Sequence, residues 1–227
     1  MATGPSPTVV LVHGAFADAS SWSGVIARLQ AAGVAVVAPA NPLRGIVADS
    51  AYLKSVVDQL PGPVLLVGHS YGGATISNAA KGVANVLGLV FVAAFAPDEG
   101  ESVRALGGDP DAPGSPIVPV SEGFWCQDRA KFHDSFGADL PAEDAVFMAD
   151  SQVPWGVDAM AWPVTDPAWR GKPTWYLIAT EDRMIPSSAQ RAMAQRASAT
   201  TVEVAASHAV YISQPHAVAA LIRRACG

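Results

Sequence analysis

A serine between glycines is the most chemically informative feature of the chain. Gly68, Ser70 and Gly72 form a G-x-S-x-G pattern. The pattern follows the apolar run Val64–Val67 and precedes the helical stretch Tyr71–Lys81. At a sharp turn from strand to helix, this pattern lifts the serine hydroxyl above the edge of a sheet, and the glycines keep side chains away from the strained backbone. The spacing therefore predicts Ser70 as a nucleophile.

A serine hydroxyl is a weak nucleophile until a base takes its proton, and an imidazole is the usual base. His208 is the predicted base, because Ser207-His208-Ala209 forms the short loop between the last predicted strand and the last predicted helix. In a parallel sheet this loop lies at the same edge as Ser70. The alternative for His208 is a purely structural role. The four other histidines lie in glycine motifs or in predicted helices: His13, His69, His133 and His216.

The carboxylate that would orient this base is expected in a loop at another strand end. Asp182 is the first choice, because it follows the predicted strand Thr174–Ala179. Glu181 is its immediate rival, and Asp98 or Glu99, after the fourth predicted strand, are the further alternatives. The competing interpretation for each is an ordinary hydrated loop carboxylate.

Two backbone N–H groups are predicted to stabilise the oxyanion that forms when Ser70 attacks a carbonyl. One belongs to Tyr71, at the start of the following helix, where the helix dipole adds a favourable field. The second is assigned to Ala15, in the loop after the first predicted strand, where Gly14 lets the chain approach the site closely. One such donor contributes about 3–4 kcal/mol in the transition state. The alternative is that His13 and Gly14 only make a tight turn.

The amino-acid composition and net charge indicate which class of protein this is and which partners are excluded. With 227 residues, 50% of them apolar and 15% charged, the chain is expected to form one globular domain over residues 1–227. A net charge of −6 without any basic block argues against nucleic acid and against an anionic membrane surface. Cys126 and Cys226 have no spacing typical of a disulfide framework or a metal site.

Met1–Pro7 lacks signal-peptide features, and the longest apolar stretch, Val86–Ala96, is too short to span a bilayer, so a cytoplasmic protein is expected.

Apolar strand-like runs alternate with helical patterns along most of the chain. The predicted strands are Thr8–Val12, Val34–Ala38, Val64–Val67, Leu87–Phe95, Thr174–Ala179 and Thr201–Val204. The predicted helices are Ser21–Ala32, Asp49–Leu60, Tyr71–Lys81, Ser187–Arg196 and Pro215–Arg224. Continuous apolar strands separated by amphipathic helices indicate an α/β protein with a parallel sheet covered on both faces.

The alternation stops between the fourth and fifth predicted strands. The segment from about residue 97 to 170 begins with the turn-rich stretch Asp109–Pro116 and continues with two predicted helices, Asp128–Phe136 and Ala142–Ser151. An insertion of this size, over the carboxyl edge of the sheet, predicts a helical lid.

The insertion is rich in aromatic and methionine side chains, which would roof an apolar pocket. Phe16 and Trp125 are the predicted pocket walls. The alternative is that the aromatic side chains only attach the insertion to the body of the protein.

From about Thr8 to Ala225, the chain resembles the serine hydrolases of the α/β-hydrolase fold. The order Ser70, Asp182, His208 is that family's order of nucleophile, acid and base. The resemblance implies a compact version of the fold, with six parallel strands and without the two leading antiparallel strands.

Two motifs, Val10–Ala15 and Val67–Gly73, are similar to those of the small methylesterase and hydroxynitrile lyase branch and of related bacterial esterases. The lyases of that branch carry a threonine after the histidine of the first-strand loop and a lysine after the catalytic histidine. Here these positions are Gly14 and Ala209. The resemblance therefore implies an esterase, with an open oxyanion hole and no lysine for a cyanide leaving group.

The expected reaction is the hydrolysis of a small or medium uncharged, partly aromatic ester through an acyl-enzyme on Ser70. The expected partner is thus a small-molecule ester, and no metal or organic cofactor is needed. Lactone, thioester or C–C bond hydrolysis and perhydrolysis on the same residues are alternatives. A ligand-binding receptor that keeps the three residues is another. The sequence gives no indication of oligomeric state.

Overall fold

The computed structural model describes residues 6–108, 110, 112 and 114–227. Residues 1–5, part of the amino-terminal segment predicted to lack signal-peptide features, lie outside the described residues. So do positions 109, 111 and 113 of the turn-rich stretch. Among the described residues, none of the helices combines the length and the apolar character needed to cross a membrane.

Nine strands are present in the described part of the chain. They are β1 (Thr8–Val12), β2 (Val36–Val37), β3 (Val64–His69), β4 (Val86–Val92), β5 (Ile117–Ser121), β6 (Phe124–Gln127), β7 (Trp155–Gly156), β8 (Thr174–Ala179) and β9 (Thr200–Val204). Six of them form one parallel sheet in the order β2-β1-β3-β4-β8-β9. The predicted α/β architecture with a sheet of six parallel strands is therefore confirmed.

Ten α-helices surround the sheet or belong to the insertion, again counting only described residues. They are α1 (Ser23–Ala31), α2 (Ile46–Asp58), α3 (Tyr71–Ala79), α4 (Val103–Gly107), α5 (Arg129–Ser135), α6 (Ala142–Asp150), α7 (Val157–Ala161), α8 (Ser187–Arg196), α9 (Val210–Ser213) and α10 (Pro215–Cys226). Short 3₁₀ turns cover Ala19–Trp22 and Ala168–Arg170.

The sheet is buried on both faces, which explains why its strands read as continuous apolar runs. Successive side chains of a strand point to opposite faces. In β1, Val10 and Val12 belong to a core shared with α2, α3 and α8, whereas Val9 and Leu11 belong to a core shared with α1 and α10. The two cores hold the sheet rigidly, so the loops at its carboxyl edge have a fixed base.

Between β4 and β8 the chain leaves the sheet, and the inserted segment contains strands as well as helices. The two predicted helices are present as α5 and α6. A small antiparallel sheet in the order β5-β6-β7, which was not predicted from the sequence, is formed by two strands before these helices and one strand after them. These strands are short, and β5 contains Pro119, so no run of alternating apolar residues marks them.

Both ends of the inserted segment are attached to the main body. At its start, Glu101 forms two hydrogen bonds of 2.8 Å with the guanidinium of Arg196 on α8. At its end, Asp166 lies 3.5 Å from the ammonium of Lys81, just after α3, and the Trp169 indole donates to the Pro97 carbonyl at 2.9 Å, which joins the two ends of the segment. These contacts fix the points at which the segment leaves and rejoins the main body.

Candidate active site

Ser70 occupies the turn between β3 and α3 in a conformation that L-residues rarely adopt. Its φ is 52° and its ψ is −124°, and such a backbone costs about 1–3 kcal/mol unless its surroundings enforce it. The carbonyl of Ser70 accepts hydrogen bonds from the N–H groups of Gly73 and Phe95, both at 3.0 Å. Gly72 is required here, because a Cβ at that position would lie 2.4 Å from the Val12 carbonyl oxygen. These contacts hold the turn in its strained form.

Asp182 and His208 are joined by a short hydrogen bond, 2.7 Å from Asp182 Oδ2 to His208 Nδ1. Both side chains are almost completely buried. The other carboxylate oxygen of Asp182 accepts from the N–H groups of Met184 and Ile185, at 2.7 and 2.8 Å. Because the acceptor on the Nδ1 side is a carboxylate, Nδ1 carries the proton and Nε2 keeps its lone pair. The ring is thus arranged to accept a proton on Nε2.

The other carboxylates considered as the acid lie elsewhere. Glu181 is exposed on the loop after β8. Asp98 and Glu99 both pair with Arg170, at 2.6 and 3.4 Å, near the end of the inserted segment. The structure therefore brings Asp182 to His208.

The loop after β1 lies directly against the serine turn. A Cβ at Gly14 would come within 2.6 Å of the Ser70 Cβ, so only glycine allows this approach. His13 holds the loop in place, since its Nε2 accepts from the Asn41 N–H at 2.8 Å and its Nδ1 donates to the Gly14 carbonyl at 2.9 Å. Burial lowers the pKa of His13, consistent with a neutral ring that makes these two hydrogen bonds. Ala15 follows directly and lines the cavity described below.

Tyr71 is the first residue of α3, and its N–H belongs to the group of N-terminal amides that have no acceptor within a helix. Its phenol is fully buried and donates to Asp49 on α2, with 2.6 Å between the two oxygens. Burial raises the pKa of the Asp49 carboxyl, and burial and the Asp49 charge raise that of the phenol. The side chain of Tyr71 is thereby fixed beneath the serine turn.

His69 links the serine strand to the loop that carries His208. Its Nε2 donates to the backbone carbonyl of His208 at 2.9 Å. The His69 ring lies 4.2 Å from the ring of Tyr211 and 4.6 Å from that of His208, measured between centroids. Burial, reinforced by the charge that His208 can carry, holds the pKa of His69 well below its usual range. His69 is therefore a neutral structural contact between two parts of the site.

Ser70, His208 and Ala15 line one cavity of about 380 Å³. In the described part of the chain no hydrogen bond joins the Ser70 hydroxyl to His208, a contact that often closes only when substrate is bound. Most of the remaining lining is apolar. It includes Phe16, Phe95, Val103, Ile117, Trp155, Met160, Met184 and Ile185.

The two predicted pocket residues end up in different places. Phe16 lines the cavity, with a φ of 66° and its ring edge-on to Trp155 at 5.7 Å. Trp125 lies on β6, half-buried, and is not among the residues that line the cavity. Its partner across the strand pair is Trp155 on β7, which does line it. Because the β6–β7 pairing was not foreseen, the sequence could not tell which tryptophan faces the cavity.

One polar residue of the site, Gln190 on α8, was not predicted from the sequence. It is completely buried, and its side chain donates to Asp182 Oδ2 at 2.8 Å. A signal was available, since Gln190 is three and four residues before the buried Met193 and Ala194 and so shares the core-facing side of α8. A polar residue on an apolar helix face needs a partner, and here that partner is a site carboxylate.

The chain matches a known protein family and is similar in sequence to characterised proteins. The model of the α/β hydrolase family matches residues 9–221. A pyrethroid hydrolase from Sphingobium wenxiniae is 30% identical over 248 aligned positions, which cover 94% of this chain and 85% of that protein. An α/β hydrolase from Aspergillus novofumigatus is 28% identical, with 97% of each chain covered.

Solved structures show the same fold. A polyneuridine aldehyde esterase has a TM-score of 0.81 at 21% identity, with 97% of this chain and 99% of that chain covered. The two proteins therefore share a fold.

Proposed function

The chain belongs to the α/β hydrolase family and is a hydrolase, and on this premise we propose that it is a serine carboxylesterase acting on small to medium uncharged esters. The observation that carries the proposal is the pair formed by Asp182 and His208, 2.7 Å apart and buried at the cavity that Ser70 also lines. Three polar residues from three separate strand ends meet there without any packing reason to do so.

In the first half-reaction, His208 Nε2 takes the hydroxyl proton of Ser70 while Oγ attacks the ester carbonyl carbon. The carbonyl oxygen becomes an oxyanion, which the N–H groups of Ala15 and Tyr71 stabilise. Asp182 stabilises the imidazolium that forms and keeps the ring oriented. Collapse of the intermediate breaks the bond to the alcohol oxygen, which leaves with the proton from His208.

In the second half-reaction, His208 takes a proton from water, and the resulting hydroxide oxygen attacks the acyl carbon. The tetrahedral intermediate collapses and releases Ser70 Oγ, which recovers the proton from His208. The products are the free acid and the resting enzyme, so no metal or organic group takes part in any step.

The cavity lining supports an apolar and partly aromatic substrate. Phe16, Phe95 and Trp155 contribute aromatic surface, and Met160 and Met184 contribute flexible side chains that adapt to different shapes. The relative from Sphingobium is named a pyrethroid hydrolase, and the similar solved structure is that of a polyneuridine aldehyde esterase. Both names fit an ester as the substrate of this chain.

The test is turnover of p-nitrophenyl acetate, butyrate and octanoate by the wild type and by Ser70→Ala. Removing the nucleophile of a serine hydrolase lowers kcat by about 10⁴–10⁶, so the variant is expected to lose nearly all activity. Ser55→Ala is the matched control, because Ser55 is exposed on α2, away from the cavity. Absence of turnover in the wild type, or full activity in Ser70→Ala, would refute the proposal.

A further inference from the structure

Gln190 is held by three hydrogen bonds in a fully buried position beside the candidate acid. Its Nε2 donates to Asp182 Oδ2 at 2.8 Å and to the Ile185 carbonyl at 2.7 Å. Its Oε1 accepts from the Ala179 N–H at 3.1 Å. The side chain therefore ties the end of β8, the loop that carries the acid, and α8 into one unit.

The partners determine the orientation of the amide. The N–H of Ala179 can only donate, so the oxygen of Gln190 must face it, and the carbonyl of Ile185 can only accept, so the nitrogen must face that side. A side chain with two donors and one acceptor at this reach is a primary amide. Glutamate would offer no donor in its ionised form, and methionine would offer neither group.

Asp182 is surrounded by four donors. Oδ1 accepts from two backbone N–H groups, and Oδ2 accepts from both His208 Nδ1 and Gln190 Nε2. The two donors on Oδ2 compete for the same electron density. The bond from Gln190 thus draws charge away from the oxygen that faces the imidazole and prevents the carboxylate from rotating.

We propose that Gln190 is a positioning residue for the reaction, which fixes the Asp182 carboxylate and weakens its hold on the proton of His208. The inference rests on the proposed function, since it requires Asp182 and His208 to act as acid and base. The benefit would be a base that the carboxylate keeps well oriented without holding it strongly as the imidazolium.

Few other titratable groups face this pair, and none differs between the variants described next. His69 on β3 packs against His208, Tyr211 on α9 packs against His69, and Tyr176 on β8 lies near Asp182. Burial lowers the pKa of His69 and raises the pKa of both tyrosines, so all three stay neutral in the assay range. Asp139, whose side chain is exposed, pairs with the hydroxyl of Ser207.

The experiment compares pH profiles of kcat/KM for p-nitrophenyl acetate in the wild type, Gln190→Met and Gln190→Glu. Gln195→Met is the matched control, because Gln195 is exposed on the same helix. Values of kcat are normalised to active sites titrated with a p-nitrophenyl phosphonate, which removes any effect of incomplete folding.

In Gln190→Met, kcat is expected to fall about tenfold with KM changed by less than about twofold, as for other residues that orient a catalytic group. The acid limb of the profile, which reports protonation of His208, is expected to move to higher pH by about 0.5–1 unit, because the carboxylate now attracts the imidazolium more strongly.

In Gln190→Glu, the introduced carboxyl can donate one hydrogen bond to Asp182 while it is protonated. When the pH rises and it ionises, it repels the neighbouring carboxylate, so a new fall in activity on the alkaline side is expected. Neither the wild type nor Gln190→Met should have this fall.

Two results would overturn the inference and differ in their meaning. Turnover that depends on Ser70, together with a wild-type acid limb and wild-type kcat per active site in Gln190→Met, would leave Gln190 as a packing residue and the proposed function intact. Absence of turnover that depends on Ser70 in the wild type would overturn the proposed function and this inference with it.

Discussion

The parallel sheet and the segment inserted between β4 and β8 contribute to the same cavity by different physical means. The sheet side supplies Ser70, Asp182 and His208, on loops fixed by short hydrogen bonds to backbone and side chains. The inserted side supplies Trp155 and Met160, which line the cavity through apolar contact. Hydrogen bonds depend on direction, whereas apolar contacts depend on area and shape. The candidate reacting groups therefore lie on the side where position is fixed most strictly.

The two regions also differ in how they meet solvent. On the sheet side, the side chains of Ser70, Asp182 and His208 are almost completely buried. The inserted segment leaves large apolar side chains exposed, with Phe147 at 69% and Trp162 at 54% of their full accessibility. We expect changes on the sheet side to affect the rate of the chemical step and changes on the inserted side to affect substrate binding.

The variant Asp182→Asn is expected to have the largest effect on the reaction rate, and it tests the sheet side of the contrast. An amide at this position favours the wrong tautomer of the histidine, and the equivalent change in a Ser-His-Asp enzyme lowers kcat by about 10⁴. We expect a loss of that order with KM nearly unchanged, measured with p-nitrophenyl butyrate. Glu181→Gln changes the adjacent, exposed carboxylate in the same way and should keep wild-type kinetics. A comparable loss in both variants would contradict the assignment of the acid.

A smaller effect is expected from Trp155→Ala, which removes apolar surface from the inserted side. Loss of an apolar contact with substrate is typically equivalent to a 10–200-fold change in specificity. We expect KM for p-nitrophenyl butyrate to rise about tenfold, while kcat stays within about twofold. The matched control is Trp125→Ala, which changes the tryptophan paired with Trp155 outside the cavity lining. A large fall in kcat for Trp155→Ala would break the contrast between the two regions.

The smallest effect concerns stability in acid. In the folded protein the pKa of His13 and of His69 is lowered, so the unfolded chain binds more protons once the pH falls below about 6.5. The contribution of each neutral histidine to the free energy of unfolding is therefore complete above that pH. This contribution is lost as the pH falls towards the lowered pKa of the folded state. Each histidine contributes a slope of up to about 1.4 kcal/mol per pH unit.

His69→Gln should reduce this slope, because the amide can still donate to the His208 carbonyl but does not ionise. The measurement is the free energy of unfolding in urea between pH 7 and pH 5. His133→Gln is the matched control from the inserted side, where the ring makes a similar bond of 3.0 Å to the Leu140 carbonyl. An equal change of slope in both variants would mean that the acid sensitivity is not specific to the sheet side.

Sequence patterns predicted the sheet side better than the inserted side, for a physical reason. Strands buried on both faces give continuous apolar runs, and loops after parallel strands must meet at one edge, so Ser70, Asp182 and His208 could be expected close together. The pairing of β6 with β7 joins residues about thirty positions apart through very short strands. Such pairing leaves no local pattern, and Trp125 was consequently preferred to Trp155 as a pocket wall.

Gln190 illustrates a different limit. Its place on the buried side of α8 can be read from periodicity, but its partner depends on how α8 lies against the loop after β8. That distance is a property of tertiary packing. The assignments of Ser70, Asp182 and His208 to catalysis remain predictions that the kinetic experiments test.

The hydrogen bond from His69 to the His208 carbonyl has a consequence for how the protein is made. It joins residues 139 positions apart in the chain, and contacts of such separation form late, after the loops between them have closed. During synthesis the amino-terminal strands emerge first, so the serine turn can fold while the histidine loop is still inside the ribosome. With the proposed mechanism, a nascent chain stays catalytically inactive until the segment around residue 208 has been released.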